Sequence, residues 1–333
     1  MSILGPEVTI DQRSNKAEVH GFGSMRMLSE TNFEGAKLAQ PTVLIVQWKD
    51  NMNFEGKFAE FYGNVQATQE NSRLLCQRMT ASFDRPISLK DGNKAGQNPK
   101  VDNLMCDQSV EIEEKVIQGE QLVSIRRLVS PYATMDNAKK LFYTSGPGEV
   151  RIFQLGSSDD FLNKPPPRGA VAKKEATQEY KITHVRYGGT LQGTTGEPRM
   201  ATFFDNVEVV HVPATRPDMI IDIDKMPEGG MYMHCEKLTV WTHRLANGRN
   251  SQEMRAEHKV RVQTKEYYGN SDVVTYDEAQ DKVIFKGGKG NPAVLYQYIG
   301  PGVPPNRISG EKIFYWRNSN KFEVENSTGL ITN

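Results

Sequence analysis

Apolar and polar residues alternate along most of this chain with a period of two. In FAEFYGNVQAT (58–68), Ala59, Phe61, Gly63, Val65 and Ala67 are small or apolar, while Glu60, Tyr62, Asn64, Gln66 and Thr68 carry polar atoms. Successive strand residues point to opposite faces, so the pattern predicts a half-buried strand with Phe61, Gly63 and Val65 inward. It recurs in MATFFDNVEVV (200–210), where Ala201, Phe203, Val207 and Val209 share one face and Asp205 stands in the place of Gly63. Further short strands are predicted at VTID, TVLIVQW, MTASFD, VEIEEKVI, VRIFQLG, YKITHVRY, KLTVWTH, KVRVQT, KVIFKG, AVLYQYI and KIFYW, parted by Gly, Asn, Asp and Pro clusters. MDNAKKLF and TYDEAQDK read as turns between strands, and no segment sustains a helical period. The expected class is all-β.

The recurrence extends well beyond one phrase. Trp48 precedes Ala59 much as Tyr187 precedes Ala201; LLCQRMTASFD (74–84) matches MHCEKLTVWTH (233–243), TMDNAKKLFY (134–143) matches TYDEAQDKVIF (275–285), and EVRIFQLG (149–156) matches PAVLYQYIG (292–300). The offsets drift, as expected where loops such as HVPATRPDMIIDIDKMPEGG are inserted between repeated strands. A third trace, GPEVTIDQRSNKAEV (5–19) against GEKIFYWRNSNKFEV (310–324), suggests a chain that begins with the last strands of one unit and ends with those of another. The Pro-rich stretch SSDDFLNKPPPRGAVAKKEATQE (157–179) reads as a linker. The expected organisation is therefore end strands at 1–40, a first unit at 41–165 and a second at 166–333, with RPISLKDGNKAGQNPK (85–100) and RLANGRNSQE (244–253) as long hairpin loops.

Inward positions by this phase are Phe61, Val65, Met79, Ala81 and Phe83 in the first unit and Phe203, Val207, Leu238 and Val240 in the second. Cys76 to Met79 and Cys235 to Leu238 are each three apart, which breaks alternation and predicts a bend or bulge at the same place in both units. Such residues build either an ordinary sandwich core or a ligand groove.

Charge and chemistry narrow the function classes. Lys plus Arg equals Asp plus Glu at 41 each in 333 residues, so no net field draws the chain to nucleic acid or an anionic membrane. No apolar run approaches the roughly 20 residues of a membrane helix. The N-terminus MSILGPEVTIDQRSNK lacks the features of a secretory signal, which fits a cytoplasmic protein or a mature or excised piece of a longer one. Three cysteines, Cys76, Cys106 and Cys235, read as core thiols rather than a disulfide framework. HExxH, GxSxG and CxxC are missing, and GGKGNPA (287–293) reads as a tight turn. His234 and Cys235, with His243 and His258, are metal-ligand types, but neighbours in a strand point apart. Asp218, Asp222 and Asp224 share a face of an extended segment, as in a calcium site, an acid pair or a solvated loop.

FYGNVQATQENSRLLCQRMTASFD resembles the repeating unit of the OstA-like (LptA-like) domain family, with its aromatic, Gly-Asn-Val, polar turn, apolar-Ala-Asp segment and apolar strand in order. MRAEHKVRVQTKEYYGNSDVVTYDEAQDKVIFKGGKGNPAVLYQ is similar to the next part of that unit, with Tyr276 before a Val-Ile strand and then Gly290, Asn291, Ala293, Leu295 and Gln297. Val150, Ile152 and Gln154 stand at the last positions in the first unit. Departures are Cys76 and Cys235 for the usual Ala, Gln77 and Glu236 for the usual Asp, and Asp205 for a Gly.

The resemblance implies two stacked V-shaped antiparallel β-jellyroll (β-taco) units, open-ended, in the periplasm or cell envelope. It implies no enzyme and no cofactor, but a bridge module that holds the acyl chains of lipopolysaccharide or another acyl lipid between two sheets and joins other OstA-like units by end-to-end strand addition. The groove would be lined by Phe61, Val65, Met79, Phe83, Phe203, Val207, Leu238 and Val240 together with Tyr276 and Leu295. A structural β-repeat with a closed core is the alternative, and a carbohydrate-active β enzyme built on Asp218, Asp222 and Asp224 a more distant one. A carboxylate at Asp205, on a face expected to be apolar, opposes the lipid reading most directly.

Overall fold

The computed structural model describes residues 1–33, 37–90, 99–156, 179–244, 250–298, 300, 302–316 and 321–331. The strands are β1 (Ser2–Leu4), β2 (Glu7–Asp11), β3 (Lys16–His20), β4 (Gly23–Thr31), β5 (Lys37–Trp48), β6 (Asn51–Glu55), β7 (Phe58–Gln69), β8 (Ser72–Phe83), β9 (Val101–Gln118), β10 (Gln121–Asp136) and β11 (Leu141–Ser145). There follow β12 (Gly148–Gly156), β13 (Glu179–Tyr187), β14 (Thr190–Thr194), β15 (Arg199–Pro213), β16 (Met231–Arg244), β17 (Asn250–Thr264), β18 (Tyr267–Asp277), β19 (Lys282–Lys286), β20 (Ala293–Gln297), β21 (Asn306–Trp316) and β22 (Lys321–Ile331). Helix among the described residues is confined to one 3-10 turn, Ile223–Lys225. The protein is all-β. Residues 157–178 of the expected linker, and 91–98 and 245–249 of the two hairpin loops, lie outside the described residues.

The chain forms two compact units, one of residues 1–116, 126–148 and 192–196, the other of residues 117–125, 149–191 and 197–333. In the first, β7 is the fold line. Its first half, Phe58–Tyr62, pairs with β6, and its second half, Gln66–Gln69, pairs with β5. β8 and β9 follow it through both halves. One half-sheet therefore runs β2, β3, β6, β7, β8, β9 and the other β1, β4, β5, β7, β8, β9, all antiparallel. Their inner faces share one core, with Val19, Met52, Phe54, Phe61, Met79 and Phe83 from the first and Met25, Met27, Leu44, Val46 and Leu74 from the second. Removing a Phe or Leu side chain from water in this way contributes about 1.5–3 kcal/mol.

The crease between the halves is built by paired left-handed residues. Gly63 and Asn64 have φ of 81° and 43°, Gln108 and Ser109 62° and 56°. Two residues of β7 thus face one residue, Gln77, of β8, and the register shifts between Tyr62 and Val65. The second unit repeats the device: Asp205 and Asn206 have φ of 64° and 50°, His258 and Lys259 64° and 52°, and the register shifts opposite Glu236. The bulge expected from the cysteine spacing is present, but its left-handed residues belong to the strands on either side of β8 and β16.

This geometry corrects two expectations. Gly63 does not face the interior; it lies in the crease, where a Cβ would land inside the Asp50 carboxylate. Asp205 is exposed at the same place in the second unit, so it puts no carboxylate on the inner face.

In the second unit, the second half of β15 pairs with β13, β18 divides between β20 and β19, and β21 carries both of those strands and then β22. Its inner faces also meet: the Tyr267 ring lies 6.2 Å from Phe285 and 5.7 Å from Tyr315. Trp48 against Phe61 at 5.3 Å in the first unit is matched by Tyr187 against Phe203 at 5.7 Å in the second. A satellite cluster covers the outer face of β13 and β15, where Phe153, Ile182, Val210 and Val212 lie beneath Met219, Ile221, Ile223 and Met226. Residues 214–226 form a strap held by Arg151, which donates to Pro217 O at 2.9 Å and Met219 O at 2.5 Å.

Candidate functional site

The site is the space between the facing half-sheets of the first unit. A cavity of about 30 Å³ lies there. One wall is Met25, Met27, Leu44, Val46 and Ala67; the other is Phe61, Met79, Ala81, Phe83, Val101 and Leu104. Alternation on β4 turns Met25 and Met27 inward and Arg26 out, as it does Phe61 on β7 and Met79 on β8. Polar atoms gather at the end away from the crease, where Ser29, Thr31 and Gln69 join the lining and Asn32 and Phe33 follow from the chain leaving β4. Gln69 is 4% exposed, and its Nε2 donates to Thr31 O and to Thr42 Oγ1, both at 2.9 Å. That arrangement leaves the apolar walls free of unmet hydrogen-bond demand from this side chain.

By the same measure a single water needs roughly 10–15 Å³, so the cavity has room for about two waters or a few methylene groups. Three of its wall residues are methionines, whose unbranched thioether side chains repack readily around irregular contents.

Of the ten groove residues expected from sequence, Phe61, Met79 and Phe83 line this cavity, and Val65 lies beside it in the same core. Phe203, Val207, Leu238, Tyr276 and Leu295 are at most 5% exposed in the core of the second unit. Val240 shares the inner face, paired with Ala201 and Met254, but is only half-buried. Sequence reasoning missed Met25, Met27, Leu44, Val46 and Gln69. The Met25, Met27, Ser29, Thr31 alternation would have revealed four inward positions, had residues 1–40 not been set aside as end strands.

The other candidates disperse. Cys235 is fully buried, its thiol pushed up to about 12 chiefly by burial, while His234 faces outward and its Nε2 lies 2.9 Å from Asn206 Oδ1. Asp218 sits 3.4 Å from Arg216 Nε; Asp222 sits 3.7 Å from Lys225 Nζ and accepts from the Asp224 amide. All three carboxylates are exposed on the strap. Among the described residues no group of three or more His, Cys, Asp or Glu could hold a metal ion.

Along the crease the polar side chains pair with one another. Gln77 donates to Asn64 at 2.8 Å in the first unit, and Lys259 meets Glu236 at 3.0 Å in the second. The sequence matches no protein-family model and no curated protein. Among the described residues no helix is long and apolar enough to cross a membrane.

Proposed function

We propose that this chain is a non-enzymatic acyl-lipid-binding module of the OstA-like type, working in the cell envelope, with lipopolysaccharide-type acyl chains entering between the half-sheets. The observation that carries the reading is the methionine-walled cavity between two apolar inner faces, with its polar atoms gathered at the end away from the crease. An acyl chain longer than a few methylenes requires the walls to part. The crease is suited to that, because its ladder is already interrupted by the left-handed pairs. Terminal strands with a described neighbour on one side only, β2 and β22, suit end-to-end strand addition by other units of this type.

A second reading, a structural β-repeat whose interior is filled by its own side chains, is favoured by the near-complete burial of nine of the ten expected groove residues. Photo-crosslinking residues at Met27, Phe61 and Phe203, combined with lipid A-type ligands and native mass spectrometry, separate the two. The lipid reading expects adducts at Met27 and Phe61. Folded protein that captures lipid at none of the three positions leaves the structural repeat.

A further inference from the structure

The polar end of the first-unit cavity restricts what can lie in it. Ser29, Thr31 and Gln69 line that end at 6%, 7% and 4% exposure, so a ligand group that meets them does so out of bulk water. Among the described residues that line the cavity there is no Asp, Glu, Lys, Arg or His. An ion brought there would lose its hydration with no opposite charge to replace it, which costs far more than moving a neutral polar group. The hydrogen bonds at this end then fix which roles remain open. Gln69 Nε2 uses its two hydrogens on Thr31 O and Thr42 Oγ1, and because a backbone carbonyl can only accept, the nitrogen of the amide is the atom that faces it. Ser29 Oγ donates its one hydrogen to the same carbonyl at 2.7 Å and accepts from Thr31 N at 3.3 Å. What Ser29 and Gln69 still offer is acceptor capacity: a lone pair on Ser29 Oγ and the Gln69 amide oxygen.

We infer that the first unit selects a long-chain lipid bearing an uncharged hydroxyl and rejects a free carboxylate, with Gln69 as the residue that sets the choice. The inference rests on the acyl-lipid reading above and names the chemistry of the ligand's polar group. The hydroxyl donates to Gln69 Oε1 at the end away from the crease, while the methylenes lie between the methionine walls. A carboxylate at the same place would set its negative oxygens against the acceptors of Gln69 and Ser29. The second unit shows that the fold does not impose a neutral set at this position. Four residues before Trp48 stands Leu44, paired with Gln69; four before Tyr187 stands Thr183, paired with His211. The place of Gln69 is thus taken by a titratable ring, whose Nδ1 lies 2.8 Å from Thr183 Oγ1, and the same strand buries Lys181. Neutrality is a property of the first unit's own residues.

The test is a titration of the intact chain, carbon-13 labelled at its methionine methyls, with three probes that share one alkyl chain: 1-decanol, its methyl ether, and decanoate at about pH 8, where the acid is ionised. The resonances of Met25, Met27 and Met79, which wall the cavity, report occupancy. Decanol should bind roughly fivefold tighter than the ether, the worth of one hydrogen bond donated to the protein, and at least about fiftyfold tighter than decanoate. Gln69→Leu should bind decanol and the ether alike. If decanol binds no tighter than the ether, or decanoate matches decanol, the hydroxyl inference is overturned while the acyl-lipid reading stands. If none of the three probes shifts these methyls, both fall. The decisive comparison is made on unsubstituted protein, so poor folding of the Gln69 variant does not blur the outcome.

Discussion

At the scale of residues, the two units solve one problem with exchanged side chains. In the first, Lys49 N donates to Gly63 O at 2.7 Å and Asp50 N to Tyr62 O at 3.0 Å; in the second, Gly188 N donates to Asp205 O at 2.6 Å and Gly189 N to Phe204 O at 3.0 Å. Asp50 and Gly189 are thus equivalent, as are Gly63 and Asp205. A carboxylate occupies the corner once in each unit, from opposite strands, and glycine makes room for it from the other side. Gly63→Asp should therefore destabilise by about 2–3 kcal/mol, since two carboxylates then crowd one corner. Asp50→Gly combined with Gly63→Asp should recover much of the loss, with a coupling of about 1–3 kcal/mol in a urea-denaturation double-mutant cycle. Additive single effects would show that the corner is not shared.

His184 offers a second check at this scale. Burial holds its pKa below the ordinary value of 6.5, against the pull of Glu149 at 3.0 Å. A base with a lowered folded pKa binds fewer protons folded than unfolded, so its contribution to stability is present above about 6.5 and is lost as pH falls through that value toward the folded pKa. The His184 ring should titrate below 6.5 by NMR, and His184→Gln should flatten the fall in stability just beneath pH 6.5. Titration above 6.5 would mean that Glu149 outweighs burial.

At the scale of elements, alternation locates the strands but assigns Gly63 and Asp205 to the wrong face, and the cause is parity. From Phe61 to Val65 the inward residues stay an even number apart, although Gly63 and Asn64 between them are left-handed and turned out. A two-residue bulge leaves period-two counting undisturbed on its own strand. The broken spacing appears on the partner, as Cys76 to Met79 and Cys235 to Leu238, which is where sequence reading put the bulge. Period-two counting therefore puts Asp205 on the wrong face although it fits every neighbour. The satellite cluster was illegible for another reason: Met219, Ile221 and Ile223 alternate without forming a strand, and what they cover is set by tertiary packing.

Two substitutions test these elements. Asn64→Val places a β-branched residue at φ 43° and should cost about 1–3 kcal/mol in urea denaturation, while Asn64→Gly, which loses only the Gln77 bond, should cost less. Equal effects would deny the left-handed crease its role. Arg151→Met removes both carbonyl anchors of the strap and should speed tryptic cleavage after the exposed Lys225 several-fold before the unit itself melts.

At the scale of the whole molecule, the third sequence trace becomes a statement about edges. Glu7 pairs with His20 and Asp11 with Lys16, just as Lys312 pairs with Glu325 and Trp316 with Lys321, so the β2–β3 hairpin and the β21–β22 hairpin are the same element met twice. Within the first unit the far edge of β3 is taken by β6, with Ala17 against Phe54 and Val19 against Met52. The corresponding edge of β22 is the position a further strand would fill. At the other terminus, Val8 and Ile10 lie on the inner-face side of β2, beside fully buried Val19 and Ala17, yet are 39% and 51% exposed. Apolar inner-face residues on a one-sided edge are what strand addition covers, and a lysine placed there is a standard defence against it. If units of this chain add end to end, sedimentation velocity should show species larger than the single chain that grow with concentration, and Val8→Lys with Ile10→Lys should abolish them without lowering the thermal midpoint, since neither side chain is in the core. Formal net charge is zero, so little long-range repulsion opposes the encounter and the effect should vary weakly with salt. A single chain that stays single at every concentration would remove end-to-end addition and leave the interior cavity as the ground for the lipid reading.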